Sequence, residues 1–236
     1  MKWNVLCFAL LATMTTTAFA QSGAGFPKHM SGVYNIYAAE KRIQTDDYEV
    51  SGIEKAVDVL KMLDAKIVQR IEITVNKQNP AASSYGKTLD GIPDLHASVE
   101  KDYIWFYEKE AKVGALTIDP YLMFFDPTAY AGYTILVRSY NAAKGGSQTF
   151  PVIIPALQDY CEIEIERHGS DAFTVNAKPV TAAHYRMTLG KRETVNLWVD
   201  ADRVIAIQLS VKGMTIVDAG YPDLLKEVRR VMSKSL

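Results

Sequence analysis

The chain has 236 residues, 48% apolar and 22% charged, with 26 Lys and Arg against 27 Asp and Glu. That balance excludes a disordered or collagen-like chain, and a net charge of −1 gives no basic footprint for nucleic acid. The length suits one domain whose core needs neither a disulfide nor a metal to fold.

Residues 1–20 read as an export signal. Lys2 supplies a short positive region, Val5 to Ala12 an apolar run, and Ala18-Phe19-Ala20 small residues at −3 and −1 of a cleavage site. The run is far shorter than the ~20 residues a spanning helix needs, so no membrane span is expected in the mature chain. No cysteine follows it at a position for lipidation. The layout looks bacterial and predicts a soluble periplasmic protein that begins at Gln21 and forms a single domain over 21–236. Cleavage also removes Cys7. The remaining cysteine, Cys161, has no partner for an internal disulfide.

Gln21 to Ser31 has no period and reads as a loose lead. Val33 to Ala38 and Arg42 to Val50 are β-rich runs that predict a hairpin around Ala39-Glu40-Lys41. Ile53 to Ile67 fits both a helical stripe and a strand; its neighbours favour a strand. Ile67 to Val75 alternates cleanly, with Ile71, Ile73 and Val75 on one face. Asn79 to Pro93 carries turn residues and reads as a long loop or two turns. Ser98 to Glu108 reads as one strand that is apolar on both faces, so its second face needs a cover or a ligand. Asp126-Pro127 predicts the start of a helix running to about Tyr140, with Tyr130, Tyr133, Leu136, Val137 and Tyr140 as its stripe and Lys144-Gly145-Gly146 ending the unit.

From Thr149 the chain is almost purely β. Strands are expected over 149–154, 161–167, 172–177, 182–189, 193–199, 203–211 and 214–218, in an antiparallel meander. Cys161 shares a face with Ile163 and Ile165, which predicts an inert, core-facing thiol. Trp198 points away from Val195, Leu197 and Val199. Pro222 to Lys234 closes the chain as an amphipathic helix. The fold class is therefore mainly β (α+β): about twelve strands in a curved antiparallel sheet or half-barrel, with a covering helix over 127–140 and a C-terminal helix.

Two stretches carry a resemblance. Tyr185 to Asp200 followed by Arg203 to Leu209 has a strand, a Trp-x-Asp turn and a second apolar strand. Gly32 to Tyr37 with Lys41 to Thr45 forms the opening hairpin. Both are similar to uncharacterised exported bacterial β-proteins, and more broadly the chain resembles the half-barrel of periplasmic lipoprotein carriers. The resemblance implies a fold and a compartment; it transfers no catalytic residues.

No catalytic or metal motif emerges. His29, His96, His168 and His184 lack metal-ligand spacing, and there is no HExxH, CxxC, EF-hand loop or G-x-S-x-G elbow. His168 and Cys161 fall on opposite faces of one strand. The paired acids Asp46-Asp47, Glu108 with Glu110 and Glu162 with Glu164 read as solvated, solubilising faces. No catalytic residue, metal or cofactor is expected.

The remaining signal is aromatic: Tyr103, Trp105, Tyr107, Tyr121, Phe124, Phe125, Tyr130 and Tyr133. They are either core or the lining of an apolar pocket. The pocket reading assigns Tyr103, Trp105, Tyr107, Tyr130 and Tyr133 to ligand contact on the concave face. It makes the protein a periplasmic carrier for an apolar ligand such as a lipid or acyl chain. The alternatives are a structural or interaction protein of the cell envelope, pairing through a strand edge, and a hydrolase with a non-standard site. The export reading has a direct test: the intact mass of the periplasmic protein corresponds to an N-terminus at Gln21, and uncleaved protein in the membrane fraction refutes it.

Overall fold

Alternating apolar and polar residues carry most of the chain into antiparallel strands. The computed structural model describes residues 29–52, 54–76, 83–118, 123–190 and 193–233. The signal segment with its cleavage site, the lead to Lys28, Tyr121 and residues 79–82 lie outside the described residues. The first meander comprises β1 (Met30–Ala38), β2 (Lys41–Ser51), β3 (Lys55–Met62), β4 (Val68–Thr74), β5 (Ser84–Leu89), β6 (Ile92–Glu100), β7 (Tyr103–Glu108) and β8 (Ala111–Thr117). Helix α1 (Tyr130–Ser139) follows. The second meander comprises β9 (Ser147–Ile154), β10 (Asp159–Val175), β11 (Lys178–Leu189), β12 (Glu193–Asp200), β13 (Arg203–Leu209) and β14 (Met214–Asp218), and α2 (Leu224–Met232) ends the fold.

All fourteen strands form one curved open sheet, in the order β8 through β1, then β14 back through β9. The two meanders join where β1 pairs β14, with Ile36 opposite Ile216. Residues 123–125 line the β9 edge through a parallel bridge between Phe124 and Ile153. On β10, the Tyr160 hydroxyl donates to the Thr117 carbonyl of β8, which brings the two ends of the sheet toward each other. The inner face holds the larger core, and α1 lies within it against β2, β3 and β13. The outer face holds a smaller core of Phe173, Trp198, Ile205 and Val217, covered by Leu224 and Val228 of α2.

The hairpin of β1 and β2, a strand (Lys55–Met62) within 53–67, the strand at 67–75, a covering helix and a C-terminal helix all appear; Ile53 lies outside the described residues. Four details differ. Residues 84–89 form β5 where a loop or turns were expected, because Asp90-Gly91 makes a tight hairpin turn with φ of 51° and 81°. Ser98 to Glu108 is not one strand: Lys101, at φ 57°, and Asp102 turn the chain between β6 and β7. The strands expected at 161–167 and 172–177 are one long β10, whose register shifts between Arg167 and Gly169. The helix begins at Tyr130, not Pro127. The Asp126 carboxylate captures the Thr128 amide at 2.8 Å and its hydroxyl at 2.6 Å, which holds a turn ahead of the helix.

One glycine is required by close approach. A Cβ at Gly32 would meet the Tyr48 hydroxyl at 2.7 Å and its ring at 2.9 Å. Tyr48 fills that space and stacks on Tyr34, with centroids 4.2 Å apart.

Cys161 is half-buried and packs against the inner core with Ile163 and Ile165. Burial raises its thiol above the ordinary value, and Glu162 and Asp159 act in the same direction. Thiol reagents should therefore label native protein more slowly than unfolded protein. Equal rates would place Cys161 in solvent.

Candidate functional site

Every residue of α1 from Tyr130 to Arg138 is buried. A helix enclosed on all sides is usually apolar throughout; this one carries Thr134 and Arg138 into the core. Its N-cap residue, Ala129, has no side chain with which to cap the helix. The free amide of Ala131 instead donates to Asp58 Oδ1 on β3, at 2.7 Å. An acid from the sheet thus caps the helix and meets the positive end of its dipole.

Asp58 has an acid for a neighbour. Strand pairing sets Asp46 opposite Leu60 and Tyr48 opposite Asp58, so the two carboxyls lie diagonally on the inner face of β2 and β3. Both are fully buried. Among the described residues, no donor in conventional hydrogen-bond geometry reaches Asp46 Oδ1, Asp46 Oδ2 or Asp58 Oδ2. Burial pushes Asp46 up to about 6; hydrogen bonding from Asp58 and from the Val59 amide, which lies outside that geometry, opposes the rise, and Asp47 adds to it. Burial also holds Asp58 well above the ordinary carboxyl value, and the charge of Asp46 adds to the effect. Desolvation thus favours one proton shared by the pair over two separate charges. Tyr130 lies over the pair: burial raises its hydroxyl first, then Asp46, Asp58 and Asp126.

A third buried acid, Asp126, accepts from the Tyr85 hydroxyl at 2.6 Å. Tyr133 donates to the Pro127 carbonyl at 3.1 Å and meets Phe125 edge-on at 5.1 Å. At the other end of α1, Arg138 donates to the Gly52 carbonyl at 2.7 Å and the Asp202 carbonyl at 3.3 Å. Beside it the Tyr48 hydroxyl donates to buried Asp218 at 2.7 Å, and Arg203 donates to the same carboxylate at 3.3 Å. An open polar cleft of about 500 Å³ borders that network, lined by His29, Ser31, Asp200, Asp202, Arg203 and Tyr221 among others.

The five aromatic residues expected to line one pocket are divided between two faces. Tyr130 and Tyr133 lie in the concavity. Tyr103, Trp105 and Tyr107 do not: Ile104 and Phe106 take the inner face, fully buried, and the three aromatics face outward. There Tyr107 stacks on His96 at 4.3 Å, and the Lys112 ammonium lies 4.0 Å above the Trp105 ring. The partner strand held the signal. Ala97 and Val99 pair with Phe106 and Ile104, whereas His96, Ser98 and Glu100 pair with the aromatics.

The sequence reading also missed Asp46, taking Asp46-Asp47 as a solvated pair. Asp47 does face outward and binds Lys61; Asp46 points inward. The parity of β2 carried this signal, since Val50 and Tyr48 share the face of Asp46. Asp58 lies inside the apolar run Ala56 to Leu60, where alternation puts it beside Ala56 and Leu60.

His168 pairs with Glu166 at 3.2 Å, and no cluster of three metal-binding side chains occurs among the described residues. His184 lies flat on Trp198 and bonds Asp171 and Asn196, within the outer core. No family model, curated protein or solved structure matches the chain.

The chemistry available beneath α1 is proton storage. A carboxyl raised on folding binds its proton more tightly in the folded state, so its contribution to stability is complete below the unfolded value of 3.8 and is lost as pH rises. The charged and titratable groups facing the pair are Asp126 and Tyr130, with Tyr34 on β1, Tyr133 on α1 and Asp47 behind Asp46. Denaturant midpoints should fall as pH rises from about 4 through 6 and beyond. Asp58→Asn keeps an acceptor for Ala131 and a donor for Asp46, so its profile should be flatter. Asp58→Ala orphans the Ala131 amide and should cost about 1–3 kcal/mol. Identical slopes for wild type and Asp58→Asn would refute the shared proton.

Proposed function

We propose that the protein carries an apolar ligand, such as a lipid or acyl chain, in the concavity of the sheet, and that α1 is the lid that vacates it. The supporting observation is the ionisable pair under a helix buried from Tyr130 to Arg138. Buried acids add little to a permanent core, where well-packed apolar residues hold it as well or better. Under a lid they weaken one contact surface selectively. Behind α1 the wall is apolar, formed by Ile36, Val50, Leu60, Ile71, Ile73 and Ile207. An acyl chain could take the place of the helix there. Micromolar binding needs about 8 kcal/mol, which is roughly 300 Å² of apolar burial before ordering costs. In this reading the protein works in the periplasm after export.

A second reading, an envelope protein that pairs with a partner strand, rests on β8. That strand ends the sheet, carries exposed Val113 and pairs with β7 alone within the sheet.

Native mass spectrometry and organic extraction of protein purified from its own cells test the carrier reading. A bound lipid should appear, and α1 amides should exchange hydrogen faster than those of β2 to β4. An empty protein whose α1 amides exchange only on global unfolding would make α1 fixed core and remove the carrier reading.

A further inference from the structure

Resting on the carrier reading, we propose that the ligand is an amphiphile with a cationic amine, and that Asp46 and Asp58 receive the amine. Two observations carry this. The first is a set of acceptors met only by the partner acid or by contacts outside conventional geometry. Three oxygens of the pair, Asp46 Oδ1, Asp46 Oδ2 and Asp58 Oδ2, lack a conventional donor, and both side chains are fully buried on the face that α1 covers. A primary ammonium has three N–H donors and a positive charge. It suits acceptor oxygens that no conventional donor reaches, on a pair that carries one negative charge while it shares a single proton.

The second is what occupies the fourth oxygen. Asp58 Oδ1 accepts the Ala131 amide at the amino terminus of α1. That end of a helix carries a partial positive charge. The lid therefore already presents to Asp58 a donor with positive character, as an ammonium would. Head group and lid compete for one carboxyl, so binding the amine and displacing the helix are a single event.

The surroundings favour this sign of charge. Besides each other, the groups that act most on the pair are Asp126, Asp47 and the amides of Val59 and Ala131, and the hydroxyls of Tyr34, Tyr130 and Tyr133 lie within its field; none is a cation. Arg138 on the same helix is held at the far end by the Gly52 and Asp202 carbonyls. An anionic head at this position would meet two carboxyls and no cation. The tail of the amphiphile would run along Leu60, Ile71 and Ile73, the inward side chains beside Asp58 on β3 and β4.

The test titrates decylammonium, decanol and decanoate, each below its micelle concentration, onto the exported protein by calorimetry at neutral pH. Wild type should bind decylammonium at least about tenfold more tightly than decanol, with decanoate weakest. Asp46→Asn and Asp58→Asn should each abolish the amine preference while decanol binding persists, which shows that the variants remain folded. Equal binding of all three chains, or an amine preference that survives in both variants, overturns the amine site and leaves the carrier reading standing. Failure of wild type to bind any of the three overturns both.

Discussion

A helix enclosed by a sheet must find partners for amide groups that water would otherwise satisfy. Here that requirement falls on Asp58, because neither Ala129 nor any residue of the first helical turn supplies a cap. The solution puts a carboxyl in the core, and the carboxyl is tolerable only with a proton and a neighbour. Asp46 is that neighbour. The position of α1, the protonation of the pair and the closure of the inner face are therefore one coupled arrangement.

The sheet holds that arrangement in register. Asp46 and Asp58 meet because β2 and β3 pair with Asp46 opposite Leu60; a slip of one residue would turn one acid outward and separate them. Farther along the same face the pairing of β1 with β14 brings Tyr34 and Tyr48 to Val204 and Asp218, each hydroxyl satisfied at 2.8 and 2.7 Å. Gly32 makes room for Tyr48. Arg138 and Asp218 are each held by conventional hydrogen bonds to more than one partner, whereas Asp46 has none in that geometry. The two ends of the helix are thus held unequally: one by charge-assisted bonds to carbonyls, the other by a single amide on a proton-sharing acid.

Much of the fold was legible because strand alternation and burial are tied together. Ile71, Ile73 and Val75, or Ile163 and Ile165, could face inward in only one register. What was not legible depended on pairing between strands. The turn at Lys101-Asp102 lacks glycine and proline, so β6 and β7 read as a single run. With that turn unseen, nothing showed that Ser98 and Glu100 oppose Trp105 and Tyr103 and draw them outward. The start of α1 was misplaced because Asp126-Pro127 has the composition of a cap, while the amide actually capped belongs to Ala131 and its acceptor lies 73 residues away in sequence. A cap donated across the fold leaves no local pattern.

The two faces of the same strands treat acids in opposite ways. On the outer face Asp47 binds Lys61, Glu49 meets His29 at 3.5 Å, and Glu72 binds Lys55 at 2.6 Å with Arg70 at 3.0 Å. Each is solvated, so each pair contributes little to stability and much to solubility. On the inner face Asp46, Asp58 and Asp126 have amides, hydroxyls and one another, but no cation. Desolvation makes an unpaired acid most costly there, and the outer pairs show that lysine and arginine were available on the same strands. Asp218, buried at the far end of α1, does have a cation in Arg203; Asp46, Asp58 and Asp126 have none, and the amine site rests on that asymmetry. Beside Asp58 the nearest positive character is the amino terminus of α1, which carries only a partial charge.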